Sequence, residues 1–186
     1  EQFAITQPIW LQQVHGVTAI YNQQAKHHQR ADAIYSNKAN NVCAVLTADC
    51  LPLLFCNQSA TKVAAAHAGW RGLADGIIES TVDLLQENSK NIMVWLGPAI
   101  GPQCFQVGTD VYDAFVKQNA SSKSAFKQQD EHHYLDDIYF LARLRLQDMG
   151  VDNVSCGGLC SYIHEQCFCS FCRNTTNGGI AILILI

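Results

Sequence analysis

The chain is predicted to fold in the α/β class, and three features of the sequence predict it. Short apolar runs bounded by polar or turn-forming residues recur along its length, as buried strands do. Between them lie stretches whose apolar residues fall near a 3.6-residue period. With 186 residues, 48% apolar and 15% charged, there is material for one domain with a substantial core and too little for two.

Pro8 to Val14 alternates loosely and reads as a strand ending at His15-Gly16; Val17 to Tyr21 reads as a second. Asn22 to Arg30 is polar and reads as a loop, and Ala31 to Ser36 as a turn into structure. Val42 to Asp49, Leu51 to Cys56 and Val63 to His67 are the expected core strands, followed by a turn at Gly69 to Gly72. Ile77, Ile78, Val82, Leu84 and Leu85 form the apolar face of a helix that stops near Asn88. Ile92 to Leu96 is a strand closed by Gly97-Pro98, Gly101-Pro102 is a turn, and Phe105 to Val107 is extended. Asp110 to Lys117 reads as a helix, Asn119 to Asp130 as a loop, and Leu135 to Met149 as the longest helix, ended by Gly150. Val151 to Cys156 is a strand, Cys160 to Arg173 a cysteine-rich connection, and Asn177-Gly178-Gly179 a tight turn. The β-branched run Ile180 to Ile186 suits a closing central strand.

Composition narrows the function. The formal net charge is −4 and no Lys/Arg cluster appears, which argues against nucleic acid as a partner. No apolar stretch is long enough to span a bilayer, so no membrane association is expected. Nine cysteines, an odd count with several at strand positions, argue against a secreted disulfide framework and for a reducing cytoplasm. The chain opens without Met in what reads as mid-domain sequence.

The stretch Leu46 to Leu73 organises the rest. Cys50 and His67 stand at the ends of two strands, 17 residues apart, a spacing that sets two strand ends side by side. His15 holds the matching position after the first strand. Two imidazoles and a thiolate are three metal ligands with one position left open, the pattern of catalytic zinc. On spacing alone, a buried cysteine beside two hydrogen-bonded histidines is the commoner arrangement.

Four ordered motifs add to this: Gln13-Val14-His15-Gly16, Thr47-Ala48-Asp49-Cys50-Leu51-Pro52-Leu53, Ala66-His67-Ala68-Gly69-Trp70-Arg71-Gly72, and Gly97-Pro98-Ala99-Ile100-Gly101-Pro102. Together they resemble the YfiH family, also called the laccase-domain or multicopper polyphenol oxidase family. The resemblance runs from about Pro8 to the C-terminus. It implies a single-domain α/β/α sandwich with a mixed sheet over residues 1–186, and a metal held by His15, Cys50 and His67, usually zinc, with copper also possible. It implies a small-molecule substrate and several activities: phosphorolysis of purine nucleosides including methylthioadenosine, adenosine deamination, copper-dependent phenol oxidation, or hydrolytic editing of a peptidoglycan precursor by removing a wrong amino acid from UDP-muramic acid.

Among these, deamination suits a zinc site directly, because a bound water becomes acidic enough to attack a purine carbon. Asp49 reads equally well as the acid/base or as a turn carboxylate capping backbone groups. Phosphorolysis needs an anion site, for which Arg71 offers a guanidinium at a turn into a helix. Gln13 and Arg173 are the further substrate-binding residues. Laccase chemistry is disfavoured because the chain has no His-x-His; His27-His28 and His132-His133 are adjacent pairs in polar stretches. A non-catalytic binding domain is the reading from a different class.

The chain departs from the family pattern in two places. The Arg-rich SYRRD-like segment is here Ser170-Phe171-Cys172-Arg173-Asn174, and Gly179 stands where a TGR turn carries arginine. The family pattern also has a segment N-terminal to the first motif that helps bind phosphate or substrate, and the sequence from Glu1 on is read as lacking it. Cys169-x-x-Cys172 is the single C-x-x-C unit among the late cysteines, so free thiols are expected there rather than a zinc knuckle. Cys104 is expected to pack.

Overall fold

A mixed six-stranded sheet forms the centre of the computed structural model, which describes residues 7–174 and 178–186. Its strands are β1 (Ala19–Tyr21), β2 (Ala33–Ser36), β4 (Leu51–Asn57), β5 (Val63–Ala68), β6 (Ile92–Leu96) and β10 (Asn153–Cys156). They lie in the order β1-β2-β5-β4-β6-β10. The outer pairs β1/β2 and β6/β10 are parallel, and the inner pairs are antiparallel. A separate ladder joins β3 (Cys43–Thr47) to β11 (Ile180–Ile184), and a small third sheet has the order β7-β9-β8 (Gln106–Gly108, His133–Asp136, Phe126–Gln128). The helices are α1 (Trp70–Asp75), α2 (Ile77–Leu85), α3 (Thr109–Val116), α4 (Ile138–Asp148) and the single turn α5 (Phe171–Asn174). None is long and apolar enough to cross a membrane.

Alternation along β4 shows how the layers form. Leu51, Leu53 and Phe55 face a core shared with α1 to α4, while Leu54 and Cys56 face a second core roofed by β3 and β11. The expected α/β class and mixed sheet are both present. Among the described residues α1 to α4 gather on one face, and the other is covered by the β3/β11 ladder. The apolar stripe of β11 that does this is Ile180, Ile182 and Ile184, whereas Leu183 remains 43% exposed. Ile180 to Ile186 is therefore an outer strand and not a central one. Its expected lead-in turn begins at Asn177, outside the described residues.

Other boundaries differ for local reasons. Pro8 to Val14 makes only an isolated bridge, Gln12 to Arg30; its donors are spread, Trp10 N–H to His27 Nδ1, Gln12 N–H to the Gln29 carbonyl and Val14 N–H to the Asp32 carboxylate. The expected turn at Gly69 to Gly72 is already helical from Trp70, and Gly76, with φ +108°, separates α1 from α2. The long helix starts at Ile138 rather than Leu135, because the Asp137 side chain caps it, accepting from Phe140 N–H at 3.0 Å. The expected loop Asn119 to Asp130 contains a short helical turn at Ala120–Ala125 and β8.

One buried group carries a stability prediction. Asp136 is fully buried, and neither carboxylate oxygen has a hydrogen-bond partner among the described residues. Burial, with the Asp137 charge beside it, pushes its carboxyl up to about 8. The folded state therefore keeps the proton that the unfolded chain gives up near pH 4, and the associated stability is lost as pH rises from about 4 to about 8. Asp136→Asn removes that loss. In urea titrations the variant gains on the parent progressively through this window, by on the order of 3–5 kcal/mol at its upper end, and the gap is flat beyond it.

Candidate metal centre

The antiparallel register of β4 and β5 sets Leu51 opposite Ala68 and Pro52 opposite His67, so Cys50, just before β4, and His67, near the end of β5, share one end of the sheet. On the other side of β5, β2 begins at Ala33 opposite Ala66, which puts Asp32 beside His67; the His67 N–H donates to the Asp32 carbonyl at 2.7 Å. The Asp32 carboxylate then gathers the remaining ligand. It accepts from the N–H groups of Val14 (3.2 Å), His15 (2.9 Å) and Gly16 (2.8 Å), fixing the loop in which His15 adopts φ +58°.

His15, Cys50 and His67 converge, with one ligand atom of each lying within 4.8 Å of the others. Among the described residues this is the one cluster of three such groups. The two imidazoles meet edge to face with centroids 4.8 Å apart. Ligand atoms around a tetrahedral ion of this type sit about 3.5 Å apart, so small side-chain shifts close the set onto an ion. His67 is 4% exposed and pairs through Nδ1 with Asp32 Oδ1 at 2.9 Å, which leaves Nε2 as its lone-pair atom. Histidine ligands are oriented by carboxylates in this way.

The surroundings fit a cation. Burial, with the charges of Asp49, Cys172 and Asp32 nearby, pushes the Cys50 thiol up to about 12. Burial and the neighbouring His67 hold the His15 imidazole below its usual range, which favours its neutral, ligating form. For Asp32 burial opposes ionisation, but the bonds from His67, Gly16 and Val14 outweigh it and hold the carboxyl below its usual range. An ionised, fully buried carboxylate and a deprotonatable sulfur leave negative charge for a divalent ion to balance, at a soft-plus-imidazole donor set suited to zinc or copper.

Two glycines of the third motif are there for space. A Cβ at Gly69 would stand 2.3 Å from His15 Nδ1 and 3.1 Å from Cys50 Sγ. A Cβ at Gly72 would stand 2.8 Å from the Gly16 carbonyl oxygen, so the bare backbone of α1 lets the His15 loop approach.

The cluster opens into a cavity of about 590 Å³, lined also by Gln13, Asp49, Trp70, Arg71, Ile100, Phe105, Phe171 and Cys172. The exposed Arg71 guanidinium lies 4.3 Å over the Trp70 ring, at the cavity wall. Asp49, 5% exposed and at φ +84°, does not reach out freely. Its carboxylate accepts from Ser161 Oγ (2.6 Å), Ser170 Oγ (3.0 Å) and Cys172 N–H (2.7 Å). Burial opposes its ionisation, but these bonds prevail and hold its carboxyl below the usual range. Its local geometry is that of a carboxylate anchoring the 161–172 segment to the site. Gln13 lines the cavity while its amide group pairs with the backbone of Leu46, donating at 2.7 Å and accepting at 2.8 Å. Arg173 lies outside the cavity lining; its guanidinium donates to the carbonyls of Ser161, Tyr162 and Phe168 at 2.7–2.9 Å.

All nine cysteines are free, and Cys104 is half-buried with its thiol hydrogen-bonded to Cys160. Asp32 escaped the sequence reading. The available signal was a lone carboxylate between alanines at the start of an apolar strand.

Comparison with known proteins places the whole chain in one family. The family described as multi-copper polyphenol oxidoreductase laccase matches residues 1–186. Purine nucleoside phosphorylase YfiH of Escherichia coli is 48% identical over 180 residues, covering 96% of this chain and 74% of that protein. A purine nucleoside phosphorylase of Pseudomonas aeruginosa is 48% identical over 178 residues, covering 95% and 73%. The crystal structure of a Neisseria meningitidis protein superposes with a TM-score of 0.93 at 40% identity, over 96% of this chain and 75% of that one. YlmD from Geobacillus stearothermophilus superposes with a TM-score of 0.87 at 31% identity, over 95% and 72%. With the whole chain matched and its ordered motifs meeting at one end of the sheet, the protein belongs to the multi-copper polyphenol oxidoreductase laccase family, the family of the YfiH proteins.

Proposed function

We propose that the chain is a metal-dependent purine nucleoside phosphorylase that also deaminates adenosine and accepts methylthioadenosine. The observation that carries this reading is the convergence of His15, Cys50 and His67 on the lining of a cavity of about 590 Å³, in a chain whose relatives are named purine nucleoside phosphorylases.

His15, Cys50 and His67 would hold the ion, zinc or copper, and a divalent ion there supplies a Lewis-acidic centre. The protein's own groups do the rest. Asp32 orients His67 and the His15 loop, keeping the donors in place. Arg71 offers a guanidinium fork to phosphate at the cavity wall, as phosphate recognition requires. In phosphorolysis an oxygen of hydrogen phosphate forms a bond to C1′ of the ribose as the N-glycosidic bond breaks, and the leaving base takes up the proton that the hydrogen phosphate gives up. Asp49, ionised and bonded to three donors, serves in this reading by positioning the 161–172 wall rather than by carrying that proton.

Phenol oxidation by several coppers would call for further ligand clusters, and the described residues provide one. Incubating the metallated protein with adenosine or inosine and phosphate, then separating bases, nucleosides and ribose 1-phosphate by chromatography, tests the reading. The expected result is phosphate-dependent release of free base, with inosine formed from adenosine as the deamination product. No product above a Cys50→Ala control overturns it.

A further inference from the structure

The aromatic residues of the cavity wall are not equivalent. Trp70 and Phe105 pack against the helical core, and the Trp70 ring also carries Arg71. Phe171 belongs to neither core, is 60% exposed, and has no ring partner among the described residues. Leaving that much aromatic surface in water forgoes burial that the fold obtains elsewhere.

Its position is nonetheless closely fixed. Ser170 on one side is 3% exposed with its hydroxyl on Asp49, and the Cys172 N–H on the other side donates to the same carboxylate. Arg173, one residue further on, locks the segment through the carbonyls of Ser161, Tyr162 and Phe168. The backbone that carries Phe171 is thus held from both flanks, through the residue adjacent to Cys50, on the wall of the cavity that contains the ligand cluster. A largely exposed aromatic ring on an anchored segment, with no ring partner among the described residues and a polar corner beside it, matches one class of ligand: a flat heteroaromatic ring whose polar edge points inward.

We propose that Phe171 is the base-stacking residue of this site, and that it sets the preference for a planar nitrogen heterocycle over a bare sugar phosphate. The inference rests on the nucleoside reading for the identity of the ring, and adds the residue that recognises it. Stacking on an aromatic side chain is sequence-tolerant, because every nucleobase has a π-face, so Phe171 selects for a base without choosing among bases.

Equilibrium dialysis of the metallated protein against free adenine, free hypoxanthine and ribose 1-phosphate tests this, with parent, Phe171→Ala and Phe171→Trp compared. Phe171→Ala weakens binding of both bases by about 5- to 100-fold, leaves ribose 1-phosphate and metal content unchanged, and Phe171→Trp restores base binding. Equal base affinity in the parent and Phe171→Ala, or no base binding by the parent, overturns the proposal. Base binding that depends on Phe171, without phosphate-dependent turnover, sinks the phosphorylase reading and leaves the stacking residue standing. Turnover with base binding indifferent to Phe171 does the reverse.

Discussion

Asp32→Ala loosens the fold and the metal centre in one step. The change leaves His67 Nδ1 and the N–H groups of Val14, His15 and Gly16 without their shared acceptor, in a place with no exposure at Asp32 itself. Breaking such a buried pair costs about 3–5 kcal/mol, and the half-exposed loop recovers part of it by hydration. Urea titration measures this term. Metal affinity, measured by competition with a chromophoric chelator, falls by about 10- to 100-fold or more, the range seen when an outer carboxylate partner of a histidine ligand is lost. Asp32→Asn keeps the shape and part of the acceptor capacity, so it loses less stability while still weakening the metal. The pH dependence follows from the sign of the shift. The Asp32 carboxyl lies lower in the folded state than in the unfolded chain, so its contribution is present above the unfolded value near pH 4 and lost as pH falls through the folded value. Asp49 behaves the same way, and acid therefore frees both the His15 loop and the 161–172 wall.

Cys50→Ser has its largest effect on activity and little on the fold. The serine fits the space of the thiol, but it replaces a soft anionic donor with a neutral hydroxyl at the middle of the three-ligand set. Metal affinity falls by more than the ~100-fold attached to an outer-shell partner, and turnover falls with it. Because burial and its acidic neighbours hold the Cys50 thiol near 12 before an ion arrives, binding an ion releases a proton. Affinity in the parent therefore rises with pH across the neutral range, and in Cys50→Ser that part of the dependence disappears. Isothermal titration in buffers of different ionisation enthalpy counts the proton.

The two variants act at different depths of legibility. Cys50 and His67 were readable because each ends an apolar run, and His15 because it precedes a glycine at a break in one. The strand register that joins Cys50 and His67 is the ordinary antiparallel pairing of consecutive strands, which a sequence with clear turn residues declares. Asp32 was not readable, since its partner His67 is 35 residues away and side-chain pairing between β2 and β5 leaves no local period. The run Pro8 to Val14 alternates, but its donors at Trp10, Gln12 and Val14 go to His27, Gln29 and Asp32 rather than to one neighbouring strand. The run Ile180 to Ile186 is apolar at every position, so its pattern could not say that one face would stay outside. Helix α1 was hidden behind glycines that read as a turn. Gly69 and Gly72 are glycines because His15 and the Gly16 carbonyl crowd them, a reason that exists only in three dimensions.

The proposed activity requires one nitrogen–nitrogen–sulfur set to meet a single ion, and X-ray absorption at the metal edge of the purified protein examines that set directly. Together with elemental analysis, the predicted result is one ion per chain with one sulfur at about 2.3 Å and two imidazole nitrogens at about 2.0–2.1 Å, the sulfur shell vanishing in Cys50→Ser. An ion bound with no sulfur neighbour, or a sulfur shell that survives Cys50→Ser, contradicts it.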